Sequence, residues 1–480
     1  MKSSSPIFRC LAPIALVAVL GSCGGGGGGS GATGVTPTPT PTPTAGCSLV
    51  ERQRWAEAQL REWYLFPDTL PASLSPAGYS TVQDYVDALT ATARSQNKDR
   101  YFTYLTSIAE ENAFYASGSS AGFGFRIALD SGSRRLFIIE SFENTPALNA
   151  GMDRGTEILA IGTSPATLRN VSDIIASEGS AGLSNALGPS TAGTSRTFRI
   201  ADASGSREVS VTKADYDIAP VSSRYGTKIL DDGGRRVGYV NLRTFISTAD
   251  GGLRSAFAQF RSAGVTDIIV DLRYNGGGLV SIAELFSDLL GGARSTRDVQ
   301  SYTAFRPEKS AENETRLYAP QPQSVAATKI AFIGTGGTAS ASELVINAAI
   351  PYLHTNAALI GTNTYGKPVG QIPLDKAVCD DRLRVVAFAT QNSARQGDYY
   401  NGLASKVEAS CAAGDDISYP LGDPREASVR AALDFLAGRS CNRIASGEIT
   451  GLSLRAGDGR REMLAVPRPN TAQREVPGTF

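Results

Sequence analysis

Histidine is almost missing. His354 is the one histidine in 480 residues. A metal centre built on several imidazoles is excluded, and no Cys-x-x-Cys or Cys/His spacing offers zinc another route. No cofactor or metal is expected. An excess of charge of one sign is missing too. The 46 basic and 46 acidic residues give a formal net charge of zero, where a nucleic-acid partner calls for a basic balance or patch. No apolar run reaches the roughly 18 residues that suggest a membrane-spanning helix. What is present is core-forming sequence, 41% apolar against 19% charged, in a chain long enough for about two to four domains.

The first 23 residues read as a targeting segment. Lys2 and Arg9 precede a short apolar core, Leu11 to Leu20. Leu20-Gly21-Ser22-Cys23 then resembles a bacterial lipobox, in which the cysteine is lipidated and becomes the mature N-terminus. This reading is favoured over an ordinary secretory signal because residues 24–46 behave as a tether: Gly24 to Gly29 is flexible, and Thr36 to Thr44 is a stiffer Thr-Pro repeat. The implied location is the bacterial cell envelope, lipid-anchored through Cys23; Gly24 is compatible with the periplasmic side of an outer membrane. Cys47, Cys379, Cys411 and Cys441 then lie in an oxidising compartment, where four cysteines allow three pairings. Cys379 with Cys411 and Cys47 with Cys441 is the pairing expected.

Residues 47–117 have helical spacing, with apolar faces at Trp55, Leu60, Trp63 and Leu65 and at Val82, Tyr85, Val86 and Leu89. They read as a helical N-terminal domain without chemistry of its own. Over 118–215 the pattern changes to short strands around turns, as in Phe125 to Leu129 and Leu136 to Ile139. This stretch resembles a PDZ domain. It carries a Gly122-Phe123-Gly124-Phe125 carboxylate loop, a Pro146-Ala147-x-x-Ala150-Gly151 helix, and Gly155-Thr156-x-Ile158, with threonine in place of the usual aspartate. Consecutive backbone N–H groups of such a loop hold a peptide's end, and an open strand edge pairs with its backbone. From 216 to 440 strands and helices alternate, the sign of an α/β domain. Residues 441–480 read as a polar, loose tail. The fold expected is thus mixed: a helical N-terminal domain, a β-rich PDZ-like domain and an α/β core.

One stretch of the core stands out. The strand-like run Ile330 to Ile333 leads through small residues to Ser340-Ala341-Ser342-Glu343 and a helix-forming run. A serine between a strand and a helix N-terminus lies beside unpaired backbone N–H groups and the positive end of the helix dipole. A nucleophile and a developing oxyanion can be stabilised together there. His354 is about 14 residues on, so at ~1.5 Å rise per residue it is about 20 Å away, too far to act as base. Lys367, flanked by Gly366 and Pro368 after a buried-type strand, is the better candidate. To accept a proton near neutrality its pKa must fall by ~3 units, a cost of ~4 kcal/mol that burial can supply.

Three motifs in order resemble the C-terminal processing (tail-specific) serine peptidases of family S41: Asp271 to Gly278 with its triple glycine, Gly337 to Glu343, and Gly361 to Lys367. The resemblance implies a crotonase-like core and a Ser/Lys dyad. Ser340 maps to the nucleophile, with Ser342 the competing serine. Lys367 maps to the base and Gln371 to a residue that orients it. The oxyanion hole falls to the N–H of Ala341 and one from Gly276 or Gly277. Polypeptides are the implied substrates, recognised by their C-termini through the PDZ-like segment. Thr362-Asn363 before the lysine and Pro368 after it depart from the family pattern, and the interval from Ser340 to Lys367 is about two residues longer than expected. The alternative is a peptide-binding protein that keeps the scaffold without the chemistry.

Overall fold

A computed structural model of the chain describes residues 45–445, 453–455 and 460–480. Cys23, the targeting segment and nearly all of the 24–46 linker lie outside the described residues. No helix among the described residues is long and apolar enough to cross a membrane.

The architecture is mixed α/β, with a helical N-terminal region and sheet-rich domains. A six-stranded sheet carries the α/β core, in the order Thr227–Asp232, Arg235–Asn241, Asp267–Asp271, Lys329–Gly334, Ala357–Gly361, Ala409–Ala412. The first two strands form an antiparallel hairpin and every later neighbour is parallel. Its inner strands are continuous apolar runs because both faces are covered. Ile268, Val270, Phe332 and Leu359 face helices Ala249–Ser262, Val280–Leu290 and Ala341–Leu353. Ile269, Ala331, Ile333 and Ile360 face helix Ala427–Leu436 through Val429, Leu433 and Leu436. The ends of strands Asp267–Asp271 and Lys329–Gly334 lead into the glycine loop and the Ser340 turn. Buried Arg273 fixes that rim by pairing with Asp271, Asp415 and Glu426 at 2.9, 3.0 and 2.9 Å.

A second sheet of five strands stands beside the core, with Tyr104–Ser107, Val299–Phe305 and Val369–Lys376 all pairing with Asp381–Gln391. Helices Leu49–Trp63 and Val82–Leu89 pack on it, Leu60, Tyr64 and Tyr85 sharing one apolar cluster with Leu383, Val385 and Val386. A third sheet of eight strands includes Phe125–Asp130, Arg135–Ser141, Glu157–Gly162 and Ser195–Asp202. Helix Val171–Leu187 closes its core.

Two expectations are corrected. The disulfides join Cys47 to Cys379 and Cys411 to Cys441. Cys379 sits in the turn between strands Val369–Lys376 and Asp381–Gln391, against which the first helix packs, so Cys47 at the start of that helix is its neighbour. Cys411 lies on the edge strand, and the chain leaving helix Ala427–Leu436 returns beside it, Asn442 accepting from the N–H of Ala412 at 2.7 Å. The tail is not loose in its described part. Strand Arg460–Met463 pairs with Phe125–Asp130, helix Thr471–Glu475 follows, and Met463, Leu464, Val476 and Phe480 are all buried. These few apolar residues fall at the points of contact, and average polarity hides them.

Candidate active site

Ser340 occupies the turn between strand Lys329–Gly334 and helix Ala341–Leu353 with φ 55° and ψ −116°. Positive φ is costly for a residue with a Cβ and persists where surroundings over-determine it. Here they do. Glu343, on the first turn of the helix, is fully buried and turns back to accept from the Ser340 N–H at 3.0 Å through Oε2. The same Oε2 accepts from the Lys367 N–H at 2.8 Å, while Oε1 accepts from the Gly366 N–H at 2.7 Å and the Thr364 hydroxyl at 2.6 Å. Burial lifts this carboxyl above its ordinary pKa against the pull of those donors. One side chain thus fastens the lysine loop to the serine turn.

Lys367 is half-buried on the wall of a cavity of about 740 Å3 that Gly276, Ala339 and Tyr365 also line. Its Nζ donates to Gln371 Oε1 at 2.7 Å and lies 5.2 Å from the centre of the Phe102 ring. Gln371 in turn donates through Nε2 to the carbonyl of Phe102. A register shift between Gly370 and Gln371 marks the start of that strand, the kind of irregularity that re-aims a side chain. Burial lowers the pKa of the Lys367 ammonium below the ordinary lysine value; the Glu475 carboxylate opposes this and Arg474 reinforces it. Among the described residues, no hydrogen bond joins Lys367 Nζ to Ser340 Oγ.

The two glycines expected at the oxyanion hole part company. Gly276 donates its N–H to the carbonyl of Glu475 at 3.0 Å, whereas the Gly277 N–H is held by Asn275 Oδ1 at 2.9 Å. Gly277 serves another purpose. Its φ is 125°, and a Cβ there would stand 2.8 Å from the Cβ of Ser340, so glycine alone lets the loop approach the serine. The N–H of Ala341, first in its helix, has no partner among the described residues. Ser342 is fully buried and its hydroxyl donates to the Asn275 carbonyl at 3.0 Å. His354 is exposed at the far end of the helix, beside Glu408 at 2.8 Å.

Gly122, Phe123, Gly124 and Phe125 present their backbone to Phe480, the two rings being turned into the domain core against Phe198. The N–H groups of Phe123 and Gly124 both donate to the Phe480 backbone oxygen, at 2.9 and 3.2 Å. Sequence reasoning missed four contributors near the site: Glu343, Asn275, Phe102 and Glu475. Only Glu343 left a signal, an acid three residues after the serine where it can fold back on the turn.

The sequence model described as Peptidase family S41 matches residues 236–395, and that of the Peptidase S41 N-terminal domain matches residues 51–104. The chain is 26% identical over 280 residues to the chloroplastic C-terminal processing peptidase of Tetradesmus obliquus, an alignment covering 54% of each. It is 26% identical over 364 residues to the chloroplastic carboxyl-terminal-processing peptidase 3 of Arabidopsis thaliana, covering 72% of this chain and 64% of that one. Against the carboxy-terminal processing protease CtpA of Bacillus subtilis the figures are 25% over 272 residues, 56% and 52%. The chain therefore spans roughly half to two thirds of the length of these curated relatives. The fold is that of a Bacteroides fragilis protein provisionally assigned as an S41 protease, with a TM-score of 0.62 at 22% identity over 80% of this chain and 97% of that one. The matched regions hold both the Ser340 turn and the Lys367 loop, together with the helices that buttress the latter, so the chain carries the two stretches that the S41 peptidase models describe.

Proposed function

We propose that the protein is a serine endopeptidase acting on polypeptides of the cell envelope, with Ser340 as nucleophile, Lys367 as base and Gln371 as the group that orients the base. The observation that carries this reading is the Glu343 oxygen that accepts from the backbone of both Ser340 and Lys367, a tie that binds residues from two separate loops into one unit. Neutral Lys367 removes the proton from Ser340 Oγ as that oxygen attacks the carbonyl carbon of a peptide bond. The N–H groups of Gly276 and Ala341 take the oxyanion. The Lys367 ammonium returns its proton to the leaving amine, and water, deprotonated by Lys367 in turn, hydrolyses the acyl-enzyme ester. For the first step Nζ moves from Gln371 toward Ser340.

The groove of Gly122 to Phe125 is the element we assign to recognition of the substrate's end. Two disulfides support action in an oxidising compartment, and a lipid on Cys23 would tether the enzyme at a membrane surface. The test is cleavage of an unstructured protein with a free C-terminus by the parent chain, Ser340→Ala and Lys367→Ala. Both variants are expected to lose cleavage. A Ser340→Ala chain that cleaves at the parent rate refutes the assignment, and a parent chain that binds but never cleaves returns the protein to the binding-only reading.

A further inference from the structure

The last residues of the sequence run through both halves of the proposed machinery. At the groove, Phe480 accepts from Phe123 and Gly124 N–H through its backbone oxygen, donates its own N–H to Phe125 at 3.1 Å, and buries its ring in the core of the β-rich domain. Gly478 accepts from the Ile127 N–H at 2.9 Å, and Thr479 forms an antiparallel bridge with Arg126, so the segment pairs by its backbone with the start of strand Phe125–Asp130. Val476 is fully buried among Phe114, Phe142, Ile218 and Ile246. One residue earlier, the carbonyl of Glu475 rests on the Gly276 N–H, and its carboxylate accepts from the Tyr115 hydroxyl at 3.0 Å. A peptide in the groove and a carbonyl at the oxyanion donor are the contacts expected of a substrate, and here one covalently attached segment makes both.

The segment is not presented as a substrate is. Residues Thr471–Glu475 are helical, and the Val476 N–H, the amine that cleavage after Glu475 would release, donates to the Ala472 carbonyl at 2.7 Å. Pro477 follows directly. A carbonyl with a helix on one side and a bonded amide on the other is a poor target for a nucleophile that needs an extended chain. The Glu475 carboxylate also favours the charged form of Lys367, which cannot act as base.

We propose that residues 464–480 are a built-in ligand that fills the groove and covers the oxyanion donor in the resting protein, and that a peptide ending in an apolar residue after small ones, the chemistry of Gly478-Thr479-Phe480, displaces them and opens the site. Occupancy rests on the contacts alone; the consequence for cleavage rests on the peptidase reading. An attached competitor acts at an effective concentration in the millimolar range, so the displacing peptide must be offered at about that level.

Binding is read first, in the Ser340→Ala background, as fluorescence polarisation of a labelled Val-Pro-Gly-Thr-Phe peptide. A chain ending at Pro469 is expected to bind it at least about tenfold tighter than the 480-residue chain, because the groove is vacant. Phe480→Asp, which keeps the length, is expected to behave as the truncation does and serves if the truncation does not fold. Hydrolysis is read second, with Ser340 intact. The unlabelled peptide at about 1 mM is expected to accelerate cleavage of an unstructured reporter by the 480-residue chain about tenfold, whereas Val-Pro-Gly-Thr-Asp is not. Equal affinity for the labelled peptide in all three chains overturns the inference. So do equal cleavage rates with and without peptide in an active enzyme. Weaker binding to the 480-residue chain with no cleavage in any chain upholds occupancy and overturns the peptidase reading instead.

Discussion

Replacing Glu343 by glutamine tests the joint that holds the proposed dyad. Four donors converge on this carboxylate, two on each oxygen. The amide keeps one acceptor and turns the other into a donor. Placed at Oε2, its NH2 faces the N–H groups of Ser340 and Lys367, and both are orphaned. Placed at Oε1, it faces the Gly366 N–H and the Thr364 hydroxyl; the hydroxyl can turn and accept, so only one donor is lost. The second arrangement is cheaper, and one orphaned buried donor costs about 1–3 kcal/mol. A loss of that size is expected in urea unfolding of the Glu343→Gln chain. Hydrolysis should fall further than stability, by about a hundredfold in kcat, since the Lys367 loop shifts relative to Ser340 and a misplacement of about 1 Å is worth that much. Glu343→Ala, which strips all four donors, should lose more on both measures. A Glu343→Gln chain as stable as the parent within about 0.5 kcal/mol and as active would show that the carboxylate fastens nothing.

A base whose pKa lies below the ordinary lysine value gives kcat/KM that rises with pH and levels off above that pKa; Glu475→Gln removes a charge that raises it, so the rising limb should move to lower pH, and a shift upward would contradict the placement of Glu475 beside Lys367. Arg273→Met leaves Asp271, Asp415 and Glu426 buried without their shared partner and should cost about 3–5 kcal/mol in chemical denaturation. Burial raises the pKa of Asp415, but the Arg154 and Arg273 guanidiniums outweigh it and hold the carboxyl below its ordinary value; its contribution is therefore full above about pH 4 and lost as pH falls, and Asp415→Asn should flatten the acid limb of a stability profile. His354→Ala should leave hydrolysis unchanged, since its imidazole is exposed and bonded to Glu408; a large loss would restore a histidine to the mechanism.

The inner strands of the core were legible because a parallel strand covered on both faces reads as an unbroken apolar run, as Ile268 to Val270 and Ile330 to Ile333 do. The Ser340 turn was legible for the same reason, being the point where such a run stops and a helix starts. Helix Val171–Leu187 was not. Its apolar residues are diluted by serines and glycines, and Gly179, at φ 65°, interrupts it. Strand Val369–Lys376 carries Pro373, Asp375 and Lys376, so its pairing with Asp381–Gln391 comes from the hairpin and not from an alternating pattern. The disulfides failed because four cysteines allow three pairings and only the fold decides among them: Cys47 and Cys379, 332 residues apart along the chain, meet where the first helix packs on the second sheet. The tail failed because its contacts are made by backbone and by a few scattered apolar side chains, which leave no period to read.

The region that looked idle in the sequence turns out to bear on the proposed base. Gln371 belongs to the second sheet and Lys367 to the loop that leads into it, Ser340 and the glycine loop to the core, and nothing in either part alone fixes the distance between them. Glu343 sets it from the core side. On the other side the Phe102 carbonyl accepts from Gln371, and the Phe102 ring lies against Lys367. Phe102 is held in turn by Asp99, whose Oδ1 accepts its N–H at 2.7 Å and that of Thr103 at 3.1 Å, and whose Oδ2 accepts from the Tyr64 hydroxyl at 2.8 Å. Tyr64 ends the first helix. A path of hydrogen bonds therefore runs from the N-terminal helices to Gln371, and the Cys47–Cys379 bond ties that helix to the turn of the same sheet. On the proposed mechanism Lys367 must be neutral in a half-buried site and needs its acceptor Gln371 held still, and the N-terminal helices do the holding.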